Sequence, residues 1–260
     1  QEAEGKNESD YTASSWKTFA KALEEAKAAA ADNTVTQEAA DLARTNLLKA
    51  ANALVKKGEK PEYDNIAPEA KADGICDYTN DLGGLATLND GYEPTESHDT
   101  SHGAWHNWNN RYENGVAKNA WVSYTWDKPV EINSMDIYYF SDHGGIVAPK
   151  SASFEYLNDA GEWVVADEAQ GLACVEDEYN TVKLANIKTK AIRMTMEPEF
   201  MNDGDPAHGV GVIEWKVYGK YAEDKPETVD KTALDAVIRE AESRAEKDYT
   251  SDSWETFARV

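Results

Sequence analysis

The chain has 260 residues, with 49 acidic against 26 basic side chains and a formal net charge of −23 at pH 7. That balance excludes a phosphate-tracking nucleic-acid binder, which neutralises its ligand with clustered Lys and Arg, and an anionic membrane surface would repel the molecule. No apolar run approaches the ~20 residues a spanning helix needs, so no membrane insertion is expected. The length allows one or two domains with ample core. No signal peptide opens the chain, which starts and stops as an excised piece would. Its two cysteines, Cys76 and Cys174, fit either one disulfide or two buried thiols.

The first predicted element is a helix that starts with Thr12 as N-cap, Ser15 at N3 and Tyr11 stapled onto Trp16. Trp16, Phe19, Ala20, Leu23, Ala26 and Ala30 follow at helical spacing, opposite Lys17, Lys21, Glu24 and Glu25. A second helix begins after Thr36, keeps Ala40, Ala43, Leu47, Ala50 and Leu54 on one side, and ends near Gly58. The motif that opens the first helix, DYTASSWKTFA at 10–20, returns as DYTSDSWETFA at 248–258. Such repetition signals an array of modules. Before the second copy, Leu234, Val237, Ile238, Ala241 and Ala245 line a third amphipathic helix. This helix supplies a piece that the first pair lacks, and apolar faces left open at the two ends predict helix exchange between chains.

Between residues 61 and 220 the character changes to short β-rich runs at 121–126, 131–140, 151–157, 162–165, 180–185, 191–196 and 211–218. Several alternate with period two, as Ala191, Arg193 and Thr195 do against Ile192, Met194 and Met196. Strands of this number and spacing predict an antiparallel sandwich, a jelly roll, with no parallel-sheet pattern. Trp121, Trp126, Trp163 and Trp215 lie on these strands and are expected to pack. The stretch 87–111 instead reads as one long loop, its turn residues leaving no room for a helix or a long strand.

His98, His102 and His106 lie four apart, a zinc spacing if helical, but Gly103 and the SHDTSH run oppose a helix and no close ligand completes a tetrahedral set. Indole plates beside hydrogen-bonding groups suit a ligand with one apolar face and many hydroxyls, as a sugar has. Loops 98–111, 141–148 and 200–208 can converge at one end of a sandwich. The candidate ligand-binding set is Trp105 or Trp108 as stacking plate with His102, Asn109, Arg111, Asp142 and His143, and His208 as a weaker candidate. No GxSxG, P-loop or HExxH motif is present, and surface carboxylates do not make a glycosidase pair, so the piece itself reads as non-catalytic.

Two resemblances follow from these segments. Residues 1–58 and 230–260 resemble FIVAR repeats, three-helix modules of extracellular proteins from Gram-positive bacteria, with most of the first helix missing from the opening copy. Residues 61–220 resemble the discoidin-like, coagulation-factor 5/8 type C family, through NIAP at 65–68, LNDG at 88–91, WVSYTWDKP at 121–129 and GVIEWKVYG at 211–219. SHGAWHNWNN, DHGG at 142–145 and PKSASFEY are similar to modules appended to large β-galactosidases and arabinosidases. The resemblance implies a galactose-binding-domain-like sandwich, mainly β with flanking α, set between helical-bundle segments. It implies a secreted or cell-wall-attached module that binds a galactosyl or arabinosyl glycan without cleaving it, in a parent glycoside hydrolase. The alternative reading is a structural spacer or adhesin segment with no sugar site. The family also implies structural Ca²⁺, held by the Asp90 turn carboxylate and Glu214 of the last strand, with carbonyls around Leu88, Tyr92 and Thr95 supplying further oxygens.

Overall fold

The computed structural model describes residues 6–75, 83–201, 207–222 and 232–259. By contact it divides into two compact units, Gln1–Ala222 and Glu223–Val260.

In the first unit, α1 (Ala13–Ala31) and α2 (Gln37–Asn52) form a hairpin. α2 begins after Thr36 as predicted, and the Thr36 hydroxyl caps it, accepting from the Ala39 N–H at 3.2 Å. The start of α1 is built differently. Thr12 Oγ1 is taken by Ser15 Oγ at 2.8 Å, and the orphan N–H of Ser14 donates instead to Glu178, far along the chain, at 3.2 Å. A carboxylate at a helix N-terminus also favours the helix dipole. The Tyr11–Trp16 staple forms, with rings 6.0 Å apart and 14° from parallel. Phe19, Ala22, Ala50 and Leu54 make the hairpin's core. α2 ends at Asn52, earlier than Gly58, because residues 53–58 turn back to meet the start of α1. There Thr12 N–H donates to Val55 O at 2.9 Å and Val55 N–H to Ser15 Oγ at 3.2 Å, and Gly58 sits in the following turn with φ 77°.

The hairpin is fixed to a β-sandwich in the same unit. Lys17 Nζ donates to Cys174 O at 3.2 Å, and Ala173 N–H to Thr18 Oγ1 at 3.0 Å. Cys174 itself is a free, buried thiol whose pKa burial pushes up to about 12, and Cys76 lies outside the described residues.

The sandwich strands are β1 (Lys71–Gly74), β2 (Trp105–His106), β3 (Tyr112–Glu113), β4 (Val116–Ala117), β5 (Ala120–Phe140) and β6 (Ile146–Val147). After them come β7 (Ser151–Leu157), β8 (Trp163–Val165), β9 (Leu172–Ala173), β10 (Asn180–Glu197) and β11 (Gly209–Tyr221). β3 and β4 form a separate two-stranded ribbon, and the main order is β2-β11-β5-β10-β7-β8. Pairing is antiparallel except that β6 runs parallel to the start of β11.

Two pairs of predicted strands prove to be single bent ones. β5 runs through 127–129 because β10 bends with it: Thr125 pairs with Ala191 and Val130 with Thr189, so residues 126–129 bulge opposite Lys190. The halves of β5 and β10 thus serve both layers, and the core lies between them around Tyr124, Trp126, Ile132, Met135, Tyr139, Phe154, Met194 and Trp215. Trp163 departs from the packing expectation. It is 37% exposed on the edge strand β8, with the Arg193 guanidinium 4.4 Å over its ring.

The second unit holds α3 (Thr232–Glu242) and α4 (Ser251–Phe257). It reproduces the α1 motif locally: Tyr249 stacks on Trp254 at 6.0 Å, and the Thr250 and Ser253 hydroxyls meet at 2.9 Å. Val237 and Ile238 of α3 are exposed. Among the described residues no helix is long and apolar enough to cross a membrane.

Candidate functional site

The loop that precedes β5 is pinned to its neighbours at Ser97. Ser141 N–H donates to Ser97 O, while Ser97 and Asp177 exchange two bonds at 2.8 Å. This anchorage carries His98 to the end of β5. Its Nδ1 meets Ser141 O at 3.0 Å, and its ring stacks on His143 at 4.5 Å. His143, at φ 56°, is held in left-handed backbone and is exposed. Asp142 beside it is exposed too, with Oδ1 accepting from Gly144 and Ile146 N–H at 2.9 and 2.8 Å. One carboxylate oxygen therefore closes the turn.

The third side of this rim is the start of β11. Gly209 N–H donates to Gly145 O at 2.8 Å, which brings loop 141–148 against loop 200–208, of which 202–206 lie outside the described residues. Trp108 sits where all three loops meet. A Cβ on Gly145 would come within 2.4 Å of its ring, so that position must be glycine for the indole to lie there, and one on Gly209 would make a tight contact at 3.3 Å. The Arg111 guanidinium lies 3.6 Å over the Trp108 ring and 4.6 Å from the Tyr112 ring. Asn109 is exposed, and two buried polar atoms here, Asn107 Nδ2 and His208 Nδ1, have no hydrogen-bond partner among the described residues. Buried groups of that kind are where ordered water or ligand is usually found.

Three expectations are corrected. Trp105 is not a stacking plate: it is fully buried on β2, opposite Val212, with its indole N–H donating to Ile75 O at 2.8 Å. Arg111 is 7% exposed, and its Nε and Nη1 donate to Ala207 O and Trp108 O, so it clamps Trp108 and does not reach outward. His102 is engaged at both ring nitrogens and on one face, with Nε2 3.1 Å from Asp90, Nδ1 2.9 Å from Gly103 O and its ring 3.8 Å from Tyr92. It belongs to the Asp90 turn. The three histidines at four-residue spacing diverge accordingly: His98 to His143, His102 to Tyr92, and His106 into the interior on β2. Tyr112, which packs on Arg111 and is 38% exposed, was not among the candidates. Only its position beside Arg111 in the sequence could have suggested it.

The Asp90 turn forms a second centre. Glu214 on β11 is 0% exposed, and among the described residues neither carboxylate oxygen has a hydrogen bond of good geometry, the Gly91 N–H being near but poorly aligned. Burial, reinforced by the neighbouring Asp90 carboxylate, pushes its pKa up to about 8; Lys216 and the Gly91 N–H oppose that shift without removing it. An unpartnered buried carboxylate beside a second one is costly unless it is protonated or a cation sits between them. Asp90 and Glu214 therefore fit a hard, oxygen-seeking ion. Leu88 does not fit, because its carbonyl already accepts from Trp215 N–H and Tyr124 Oη, both at 2.7 Å. Tyr92 and Thr95 flank the turn, Tyr92 partly buried and Thr95 exposed. Among the described residues no group of three or more His, Cys, Asp or Glu could hold a metal by side chains alone, so carbonyl oxygens would have to complete the shell.

No family model matches the chain. Its sequence is similar to the polysaccharide lyase 8 family protein HylA of Enterococcus faecalis, 46% identical over 56 residues, which is 22% of this chain and 4% of that protein. The chain thus spans a small part of the length of the curated relative it matches. Among solved structures it is similar to the Clostridium perfringens module CpGH89CBM32-5 in complex with GalNAc-β-1,3-galactose, at TM-score 0.45 and 14% identity over 60% of this chain and 99% of that one. It is similar at TM-score 0.45 and 19% identity to a chain of the Streptococcus pneumoniae β-galactosidase BgaA, covering 63% of this chain and all of that one. For the family 32 carbohydrate-binding module of C. perfringens NanJ in complex with galactose, the TM-score is 0.43 at 18% identity, over 59% of this chain and 97% of that one.

Chemically, the rim offers an indole held rigidly by Arg111, with imidazole, carboxylate and amide groups at its edge. Glu214, whose carboxyl pKa burial raises, lies in the interior and not at the rim.

Proposed function

We propose that this chain is a non-catalytic carbohydrate-binding unit of a larger secreted glycan-active protein, with a discoidin-like sandwich presenting a galactosyl or arabinosyl site. The observation that carries the reading is the meeting of three loops around Trp108, with exposed Asn109, Asp142 and His143 beside it. Sugar rings lie on aromatic faces while their hydroxyls take amide, carboxylate and imidazole partners. The stretch shared with a polysaccharide lyase 8 family protein supports a glycan-active parent. In this reading Asp90 and Glu214 hold Ca²⁺ and stiffen the base of the loop, and the two helical segments are FIVAR-type spacers. Bound there, the ion supplies positive charge that lets both carboxylates ionise without repulsion.

A second reading, an inert spacer, draws on the burial of Trp105 and the turn-closing role of Asp142. A glycan array probed with the 260-residue chain in Ca²⁺ separates the two. Retention on β-galactosides or arabinosides, lost in Trp108→Ala, supports the binding unit, and a blank array supports the spacer.

A further inference from the structure

The carbohydrate rim leaves one charged feature of the molecule unused. Where the turn after α2 returns to Tyr11, an open groove of about 570 Å³ is lined by Lys6, Lys56, Lys57 and Lys183, with Glu59 as its one carboxylate and Ala51 and Leu54 in its wall. In a chain whose acidic residues outnumber its basic ones 49 to 26, four lysines against one glutamate is a local inversion of charge. Glu59 is already committed: Lys183 Nζ lies 2.7 Å from Oε1, the Lys56 N–H donates to Oε2 at 3.2 Å, and its pKa is lowered by the Lys183 hydrogen bond first. Lys183 pairs with Glu59 and Lys56 also acts on it through its charge, so the four lysines and one glutamate of the lining leave an excess of three positive charges there.

The fold enforces this clustering. The Tyr11–Lys56 bridge and the bond from Lys57 N–H to Asp10 O, 3.0 Å, hold two lysines beside the helix start, and Lys6 lies 5.7 Å over the Tyr11 ring. Like charges gathered on ordered backbone repel one another, and a bound anion relieves that repulsion. The adjoining cleft shares Glu59 and Lys183 but carries Glu62 and Asp136, so the positive field is bounded on that side. The wall supplied by Leu54 and Ala51 gives the groove an apolar side, which a bare ion does not use but a sugar ring does.

We propose that this groove is a second glycan site, separate from the rim, that takes a carboxylated saccharide, its carboxylates read by Lys6, Lys56 and Lys57. The protein's negative field is screened beyond about 8 Å at physiological salt, so the local lysines govern a ligand already in the groove. Binding therefore weakens with added salt.

The test titrates the intact chain with a uronic-acid tetrasaccharide and with its carboxyl-reduced, neutral counterpart, at 20 and 300 mM NaCl. The expected result is at least tenfold tighter binding of the acidic sugar at 20 mM, a severalfold loss at 300 mM, and at least tenfold weakening in Lys56→Gln/Lys57→Gln. Both lysines are exposed, and an unchanged melting temperature would confirm the variant's fold. The rim variant Trp108→Ala keeps this binding, so failure of the rim reading and failure of this one are told apart. Equal affinity for both sugars, full binding by the double variant, loss in Trp108→Ala, or competition by inorganic phosphate below 1 mM, which would mark a simple ion site, would each overturn the proposal.

Discussion

Glu214 ties stability to pH and, in the proposed reading, to a cation. Its folded-state pKa of about 8 lies above the usual 4.5, so the folded chain holds a proton that the unfolded chain releases. In a chelator the stability from that neutral form is present below about pH 4.5 and is lost as pH rises through about 8. A Glu214→Gln chain has no such loss. Melting curves in chelator are expected to show wild type on the order of 10 °C below Glu214→Gln at pH 8.5, with the gap closing by pH 5. Added Ca²⁺ restores wild type at pH 8.5 and leaves the variant unmoved; equal responses would remove the cation reading. The two loop tryptophans separate in the same way. Trp105→Ala empties a fully buried site and is expected to cost about 3–5 kcal/mol in denaturant unfolding. Trp108, partly buried between the Arg111 guanidinium and the Gly145 and Gly209 backbone, is expected to cost less than Trp105, and in the proposed reading its loss falls on ligand binding. The sequence could not distinguish them, because a two-residue strand such as β2 is too short for alternation to show which indole points inward.

At the scale of elements, what was legible is what local chemistry decides. The staple, the helix start after Thr36 and the short β-rich runs follow from residues near in sequence, and the period-two run 191–196 falls within β10. What was not legible depends on partners far along the chain. β5 stays paired through Pro129 only because β10 bends opposite it, and α1 takes its N-terminal partner from Glu178. The Glu178→Ala substitution is therefore expected to destabilise α1 by about 1 kcal/mol. Hydrogen exchange would show faster amides at the start of α1 with the β5 core unchanged, whereas uniform acceleration would mean that hairpin and sandwich open as one. The same dependence explains Arg111. A basic residue in an aromatic loop reads as a ligand contact, and only the meeting of Trp108, Tyr112 and Ala207 turns it into a clamp.

On the scale of the molecule, the net charge of −23 constrains what the rim can bind. A neutral sugar is indifferent to that field, so rim affinity should hold from 20 to 300 mM NaCl, in contrast to the lysine groove. Single-sugar sites of this open kind have affinities of order 0.1–1 mM, or about 4–5 kcal/mol. Repetition along a longer chain raises the effective value. The most direct measurement is a calorimetric titration of the 260-residue chain in Ca²⁺ with β-galactosides and arabinosides, repeated with Trp108→Ala and Asn109→Ala. The account predicts millimolar or tighter binding of one such sugar by the wild type and at least tenfold weakening in both variants. Absence of binding to every sugar, or binding that both variants retain in full, would contradict it.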